Sequence, residues 1–406
     1  MQLSFFTNFG NSIAQQESQL STLEQQVSTG IAVQTPDQNP AAYESATLNQ
    51  DQISALSNDS TTQADIQGQL GSVDNVYSSV SSLFDNVQSV LEQALNGTTS
   101  SQNMQALATQ ISSASQQLLG LANTTGSDGN YLFGGSRGTV QPFQTVQGAT
   151  GASIAYMGDG AQSQALVSPD SAASTIANGD VFMTGLSGDG FATTAAASSN
   201  TGTGQLLSQG VASPAAASTF QSQATPITLS FANGASGLTY TATQGGSTIS
   251  TGAVSSNMTL QLGGVDFELS GAPASGDSFT VSPSRPRSAF ALLQNIQTTL
   301  QNAGSGGAQA AQTNQQLNQD LAGLAQYQQS ITAAQAQNGV TLQAVTNAAA
   351  SNTSQSTALQ NNVQSTIGVN AATAITSLDE TTTALEAAMK AFGSIQNLSL
   401  FNYISG

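Results

Sequence analysis

Ile66-Gln-Gly-Gln-Leu-Gly-Ser-Val-Asp-Asn-Val-Tyr-Ser-Ser-Val-Ser-Ser-Leu-Phe-Asp-Asn-Val-Gln-Ser-Val-Leu-Glu-Gln-Ala94 decides the architecture. Its apolar residues, Ile66, Leu70, Val73, Tyr77, Val80, Phe84, Val87, Leu91 and Ala94, alternate at steps of four and three without a slip. That spacing holds one stripe on one side of a helix and is the seam of a coiled coil. Val76, Leu83 and Val90 add a third column, so the apolar face is wide enough for more than one partner helix. Asn39-Pro40 upstream reads as an N-cap with proline in the first turn, and Asn96-Gly97 ends the run. A helix from about Pro40 to Leu95 would be ~80 Å long at about 1.5 Å per residue.

The same period returns on both sides. Phe6, Phe9, Ile13, Leu20, Leu23 and Val27 keep it near the N-terminus, with Gln16 in the missing seat, until Gly30; Pro36 and Pro40 forbid a helix running straight through. Met104, Leu107, Ile111, Leu118 and Leu121 predict a second helix after Asn96-Gly97. Phe290, Leu293, Ile296 and Leu300 lead to a turn at Gly304–Gly307, and Leu317, Leu321, Leu324 and Ile331 begin another helix. Near the C-terminus Ile375, Leu378, Leu385, Met389, Phe392 and Ile395 restore a heptad seam, with Thr382 in its weak seat.

From about Val140 to Val281 the period switches to two. Ile227, Leu229 and Phe231 alternate with polar residues, as do Met258, Leu260 and Leu262, then Val265, Phe267 and Leu269. Asn233-Gly234, Gly245-Gly246 and Gly263-Gly264 suit tight hairpin turns between such runs. The Ala/Ser/Thr stretch from Ala192 to Ser218 reads as a loose insertion. The expected fold is therefore α+β and multidomain: a long α-helical coiled-coil bundle formed by both termini, with a central antiparallel β domain inserted. Its expected parts are terminal coiled-coil helices at 1–40 and 368–406, a helical bundle at 41–139 and 285–367, and a β-rich outer domain at 140–284.

Composition narrows the function. The 406 residues include 22 acidic and four basic ones, a formal charge of −18, with no His and no Cys. Too few cations are present to neutralise phosphates or anionic lipid heads, so nucleic acid and acidic membrane surfaces are excluded as partners. Without imidazole or thiolate, the usual general bases, nucleophiles and zinc ligands are missing. A structural protein without cofactor or metal is expected, not an enzyme. Only 6% of residues are charged, against roughly a quarter in an average soluble protein, so interhelical specificity must rest on apolar shape and on Gln, Asn, Ser and Thr. The N-terminus lacks a basic segment followed by an apolar core, and no 18 apolar residues run together, so neither a cleaved secretory signal nor a membrane span is expected.

Few residues invite chemistry. Asp266 and Glu268 point the same way from a predicted strand, as a glycosidase pair or calcium site would require, but the alternation makes them a solvent face opposite Val265, Phe267 and Leu269. Gly158-Asp159-Gly160 and Gly188-Asp189-Gly190 lack the ligand spacing of calcium loops and read as turns. Gly134-Gly135 has no phosphate-loop lysine after it; the single lysine is Lys390. The terminal seams remain. Phe6, Phe9, Ile13, Leu20, Leu23, Val27, Ile375, Leu378, Leu385, Met389, Phe392 and Ile395 either complete the core of a monomer or face neighbouring subunits, and aromatics crowded at positions 5, 6 and 9 favour an interface.

Ser28-Thr29-Gly30 is followed by Pro36-Asp-Gln-Asn-Pro40-Ala-Ala, then Ala122-Asn-Thr-Thr-Gly-Ser-Asp-Gly-Asn-Tyr-Leu-Phe-Gly-Gly135, then Tyr156-Met-Gly-Asp-Gly160. Asn178-Gly-Asp-Val-Phe182, Gly271-Ala-Pro-Ala-Ser-Gly-Asp-Ser-Phe-Thr-Val281 and Gln396-Asn-Leu-Ser-Leu-Phe-Asn-Tyr-Ile404 come after them. In this order these segments resemble the flagellin-type axial proteins of bacteria, particularly their hook-associated members. Ile31-Ala32 and Gln38-Asn39 stand where relatives carry charged residues, so a charged loop contact is not carried over. The resemblance implies export through the flagellar type III apparatus without a cleaved signal, an extracellular place at the junction of hook and filament, and no enzymatic activity. It implies as partners hook-associated protein 1, flagellin, further copies of the chain in a ring, and an export chaperone for the C-terminal region. A flagellin, or an adhesive module on a helical stalk, are the alternatives.

Overall fold

The computed structural model describes residues 2–96, 100–148, 151–161, 164–168, 171–174, 179–304 and 306–404, with side-chain burial from residue 7 to residue 394 outside 151, 164–168 and 171–174. It forms two compact units, one of Met1–Gln63 with Asn347–Gly406, the other of Ala64–Thr346.

The helices are α1 (Gln2–Thr29), α2 (Pro40–Leu95), α3 (Ser101–Ala122), α4 (Pro214–Gln223), α5 (Ala289–Gln301), α6 (Gly307–Ile367) and α7 (Ala371–Ile404). α2 has the bounds its heptads predict. The Asn39 side chain accepts from the Ala42 N–H at 3.1 Å, capping the helix with Pro40 in its first turn.

In the first unit α1 packs along α7. Asn352 of α6 donates to the Leu56 carbonyl of α2 at 2.8 Å and to Ser60 Oγ at 3.0 Å. In the second unit α2, α3, α5 and α6 enclose one core, including Val73, Val80, Phe84, Leu91, Ile111, Leu118, Leu293, Ile296, Leu317 and Leu324. Along α6 the column Leu317, Leu324, Ile331, Asn338, Val345 and Asn352, at steps of seven, is buried throughout, and Asn338 donates to the Leu70 carbonyl at 2.9 Å. Polar residues at such seats cost stability and specify register.

The recognisable exit after α3 is a plug of aromatic rings. Phe133 and Phe143 both meet Phe182 edge-on, at 5.1 and 5.6 Å, and Phe143 packs on Tyr156 and Phe290. A Cβ on Gly179 would overlap the ring of Tyr156, so the backbone passes there only as glycine. Asn178, the first residue of that motif, lies outside the described residues.

The strands between α3 and α5 all pair antiparallel. Two-stranded ribbons are formed by β1 (Phe143–Gly148) with β2 (Gly151–Tyr156), β3 (Gln164–Ser168) with β4 (Ser171–Ser174), and β5 (Gly185–Leu186) with β14 (Pro286–Arg287). A five-stranded sheet has the order β10 (Ser247–Ala253), β9 (Gly237–Gln244), β8 (Ile227–Gly234), β13 (Ser278–Pro283), β6 (Ala192–Ala196). A three-stranded sheet runs β11 (Met258–Leu262), β12 (Val265–Ser270), β7 (Gln205–Val211). Their inner faces form a second core from Leu206, Ile227, Leu229, Phe231, Leu260, Leu262, Val265, Phe267, Leu269, Phe279 and Val281. Gly245-Gly246 and Gly263-Gly264 turn with φ of 57° and 83°, and 60° and 83°, the left-handed pairs that match the twist of a hairpin.

Two expectations are corrected. The β8–β9 hairpin turns at Ala235-Ser236, not Asn233-Gly234: Asn233 pairs with Leu238 and Gly234 with Gly237, and Gly237 takes the positive φ at 124°. The stretch from Ala192 to Ser218 is no loose insertion but holds β6, β7 and the start of α4, capped by Ser213 with Pro214 in its first turn. Glutamines of α6 supply the hydrogen bonds those small residues lack. Thr194 N–H donates to Gln319 Oε1 at 2.9 Å while Gln319 Nε2 donates to the Thr194 carbonyl, as a neighbouring strand would. Gln315 accepts from the Leu206 N–H at 3.1 Å and donates to Thr194 Oγ1 at 3.0 Å.

Candidate assembly surface

α1 and α7 carry the apolar residues singled out from the sequence, and the structure sorts them into two sets. In α7, Leu378, Leu385 and Phe392 stand seven apart; Leu385 is buried, and Leu378 and Phe392 are half-buried. Phe392 stacks on Phe9 of α1, with ring centroids 5.2 Å apart. On α1, Phe9, Ile13, Leu20, Leu23 and Val27 are all half-buried. The side chains of Phe6 and Ile395 lie outside the described residues.

The other α7 column stays in solvent. Ile375 and Met389 are 47% and 48% exposed, with exposed Thr382 between them. In α7 only the column of Leu378, Leu385 and Phe392 is covered, and Ile375 and Met389 are left in water. Gln16, in the polar seat of α1, has a buried Oε1 without a hydrogen-bond partner. An orphaned buried acceptor costs about 1–3 kcal/mol, so this seam is not optimised for the isolated pair.

The carboxylates of the β-rich region and of α6 have structural tasks. β12 buries Val265, Phe267 and Leu269 and leaves Asp266 and Glu268 half-exposed, with Glu268 accepting from Gln209 at 2.7 Å. Asp159 accepts from the N–H and hydroxyl of Ser136, which hold its pKa below the ordinary carboxylate value. Asp189 accepts from the Phe191 and Ala192 N–H groups and from Ser208, closing a turn. Buried Asp277 takes the N–H groups of Thr201, Gly202 and Ala274, which is the physical content of the motif ending at Val281. Burial pushes Asp320 up despite its ion pair with Arg287 at 3.1 Å. Among the described residues no group of three His, Cys, Asp or Glu could hold a metal ion, and no helix is long and apolar enough to cross a membrane.

Residues 4–137 match the family model for the bacterial flagellin N-terminal helical region. Flagellar hook-associated protein 3 of Escherichia coli strain K12 is 36% identical over 126 residues, which are 30% of this chain and 39% of that protein. The Salmonella typhimurium protein of the same name is 30% identical over 141 residues, 34% and 43% of the two chains. The crystal structure of Xanthomonas campestris FlgL gives a TM-score of 0.69 at 25% identity, covering 77% of this chain and 98% of that one. This chain resembles flagellar hook-associated protein 3 in sequence and in fold. Hook-associated protein-3 from Legionella pneumophila adds the same fold at a TM-score of 0.71 and 24% identity, over 79% of this chain and 98% of its own. The matched sequence spans about two fifths of the length of the curated hook-associated protein 3 relatives.

The glutamines that clamp β6 and β7 to α6 escaped the sequence reading. Gln312, Gln315 and Gln319 share one face of α6, at steps of three and four, and that spacing was the available signal.

Proposed function

We propose that this chain is a structural subunit of the bacterial flagellum, without catalytic activity, and that it joins the hook to the flagellin filament. The uncovered Ile375/Met389 column beside the Phe9–Phe392 seam carries this reading: a terminal helix pair that leaves two large apolar side chains of its heptad pattern in water suits a subunit completed by neighbours. The likeness to hook-associated protein 3 supports the flagellum as that assembly.

In this reading residues 1–40 and 368–406 form the axial core, 41–139 with 285–367 the helical bundle, and 140–284 the outer domain. Phe6, Phe9, Ile13, Leu20, Leu23, Val27, Ile375, Leu378, Leu385, Met389, Phe392 and Ile395 form the subunit interface. The partners are hook-associated protein 1 on the hook side, flagellin on the filament side and copies of the chain in a ring, with an export chaperone holding the C-terminal region beforehand. The chain would leave the cell unfolded without a cleaved signal, to which the absence of Cys is suited.

A deletion strain tests it. Hooks without filaments, with unassembled flagellin in the medium, are expected. Missing filaments with no flagellin anywhere would make this chain the flagellin, and normal filaments would remove the axial role.

A further inference from the structure

No charged residue stands between Asp189 and Asp266, and the whole chain sets 22 carboxylates against Arg137, Arg285, Arg287 and Lys390. A place at a junction does not require that imbalance, but the imbalance has an electrostatic consequence. At pH 7 the formal charge is −18, and the isoelectric point lies near 4.1. Once the carboxylates are protonated, the side chains hold only four positive charges. A soluble chain of this length with average charge content, half of it basic, would then hold about 50. Repulsion among so many cations drives a compact state apart. Acid denaturation adds the charging of buried histidines and the loss of paired carboxylates. This chain has no His, and four cations can pair with few of its carboxylates.

The polar contacts that fasten the sheets to α6 in the second unit are between neutral groups. Gln315 and Gln319 bind Thr194 and Leu206, and Gln312 donates to the Ala197 and Asn200 carbonyls at 3.3 and 3.4 Å. Amides and hydroxyls bind no proton in the acid range. Asp189 and Asp277 bind backbone N–H groups, to which a protonated carboxyl still offers its carbonyl oxygen. The fold lowers the pKa of Asp128, which accepts from Asn130 and Gln69, and of Asp159, which accepts from Ser136 with Arg137, Tyr156 and Asp180 around it. A lowered folded pKa gives stability that is present above the ordinary carboxylate value and lost as pH falls through the folded one. Both groups are open to solvent, which screens that contribution. Buried Asp320 has the opposite sign. Arg287 of β14 is the charged group facing it, beside the neutral Asn295 of α5 and Gln316 of α6. Burial raises its folded pKa, so its contribution is complete below the ordinary value and is lost as pH rises through the folded one.

We propose that this chain is suited to an acidic exterior: its second unit keeps its native packing where the carboxylates of an ordinary protein are protonated, with stability no lower there than at neutrality. The exterior rests on the junction reading; endurance in acid is a property of the chain and fails or stands separately.

Urea unfolding of the full chain at pH 2.5 and pH 7.0, at the same low ionic strength, tests it. The near-ultraviolet circular dichroism of tyrosine reports the packing around buried Tyr77 and Tyr327. That signal should persist at pH 2.5, and the urea midpoint there should equal or exceed the one at pH 7.0. A second protein tests the cause. Gln110→Lys, Gln116→Lys, Gln329→Lys and Gln337→Lys combined double the number of basic residues at exposed helix positions, and Lys and Gln have similar helix propensities. Relative to the parent, its midpoint should rise at pH 7.0, where the added charges offset the negative excess. It should fall at pH 2.5, where they add to the positive one. Loss of the near-ultraviolet signal at pH 2.5, or a parent midpoint there below that at pH 7.0, would overturn the proposal. So would a variant whose midpoint moves in the same direction at both pH values, or at neither, because charge would then not be the cause.

Discussion

The rings of Phe9 and Phe392 stack with centroids 5.2 Å apart and planes 6° from parallel, joining the two ends of a 406-residue chain. The contact joins residues separated by nearly the whole sequence, so closing it carries a large loop entropy cost. Aromatic pairs contribute about 0.5–1.5 kcal/mol beyond their buried area, a large share of what a two-helix seam can offer.

Phe392→Ala should therefore open the terminal pair at a cost of about 2 kcal/mol, below the roughly 3–5 kcal/mol for truncating a fully buried ring because this one is half-buried. Hydrogen exchange should accelerate in peptides covering residues 7–29 and 371–394, while the core around Val80, Leu91 and Ile111 stays protected. Unchanged protection of α1 would mean that the stack contributes nothing to the seam.

Gln319→Ala should leave the N–H and carbonyl of Thr194 without partners on the free edge of β6. Unsatisfied buried groups cost about 1–3 kcal/mol, so the sheet should melt earlier or become susceptible to proteolysis between residues 190 and 212. Gln319→Glu keeps the acceptor for the Thr194 N–H but not the donor for its carbonyl, and should lose as much or more. A variant as resistant as the parent would mean the clamp is incidental.

How much of this was legible depends on what fills each seam. α1, α2 and α7 announce themselves because their seats hold Phe, Ile, Leu and Val at heptad spacing. α6 did not show its length: beyond Ile331 its buried column passes to Asn338, Val345 and Asn352, and polar seats interrupt a pattern sought in apolar residues. β6 and β7 were hidden likewise, since their edges are satisfied by side chains 109 to 125 positions away and no local pattern encodes such a partner. At the terminal helices the sequence identified the apolar residues. It could not separate the column that packs on α1 from the one left exposed, because both share the same period.

Alkaline titration gives a check on the core. Burial pushes the Tyr77 phenol up to about 12 and Tyr327 further, with the Tyr327 hydroxyl donating to the Arg287 carbonyl. A raised folded pKa means that the associated stability is complete below the ordinary value near 10 and is lost as pH rises through the folded value. Ultraviolet titration of the seven tyrosines should show an early class and a late class that ionises only with loss of helical signal. Ionisation of all seven in one step near pH 10, with the helices intact, would contradict the packing of Tyr77 and Tyr327.

The most direct test concerns the exposed column. Ile375→Asp combined with Met389→Asp places charge on the solvent side of α7 while leaving the Phe9–Phe392 stack and Leu385 in place. Introduced into the deletion strain, this variant should be exported and recovered from the medium as a folded monomer, with hooks that remain bare. Normal filaments would contradict the account, because the column left exposed in the free chain would then have no part in assembly.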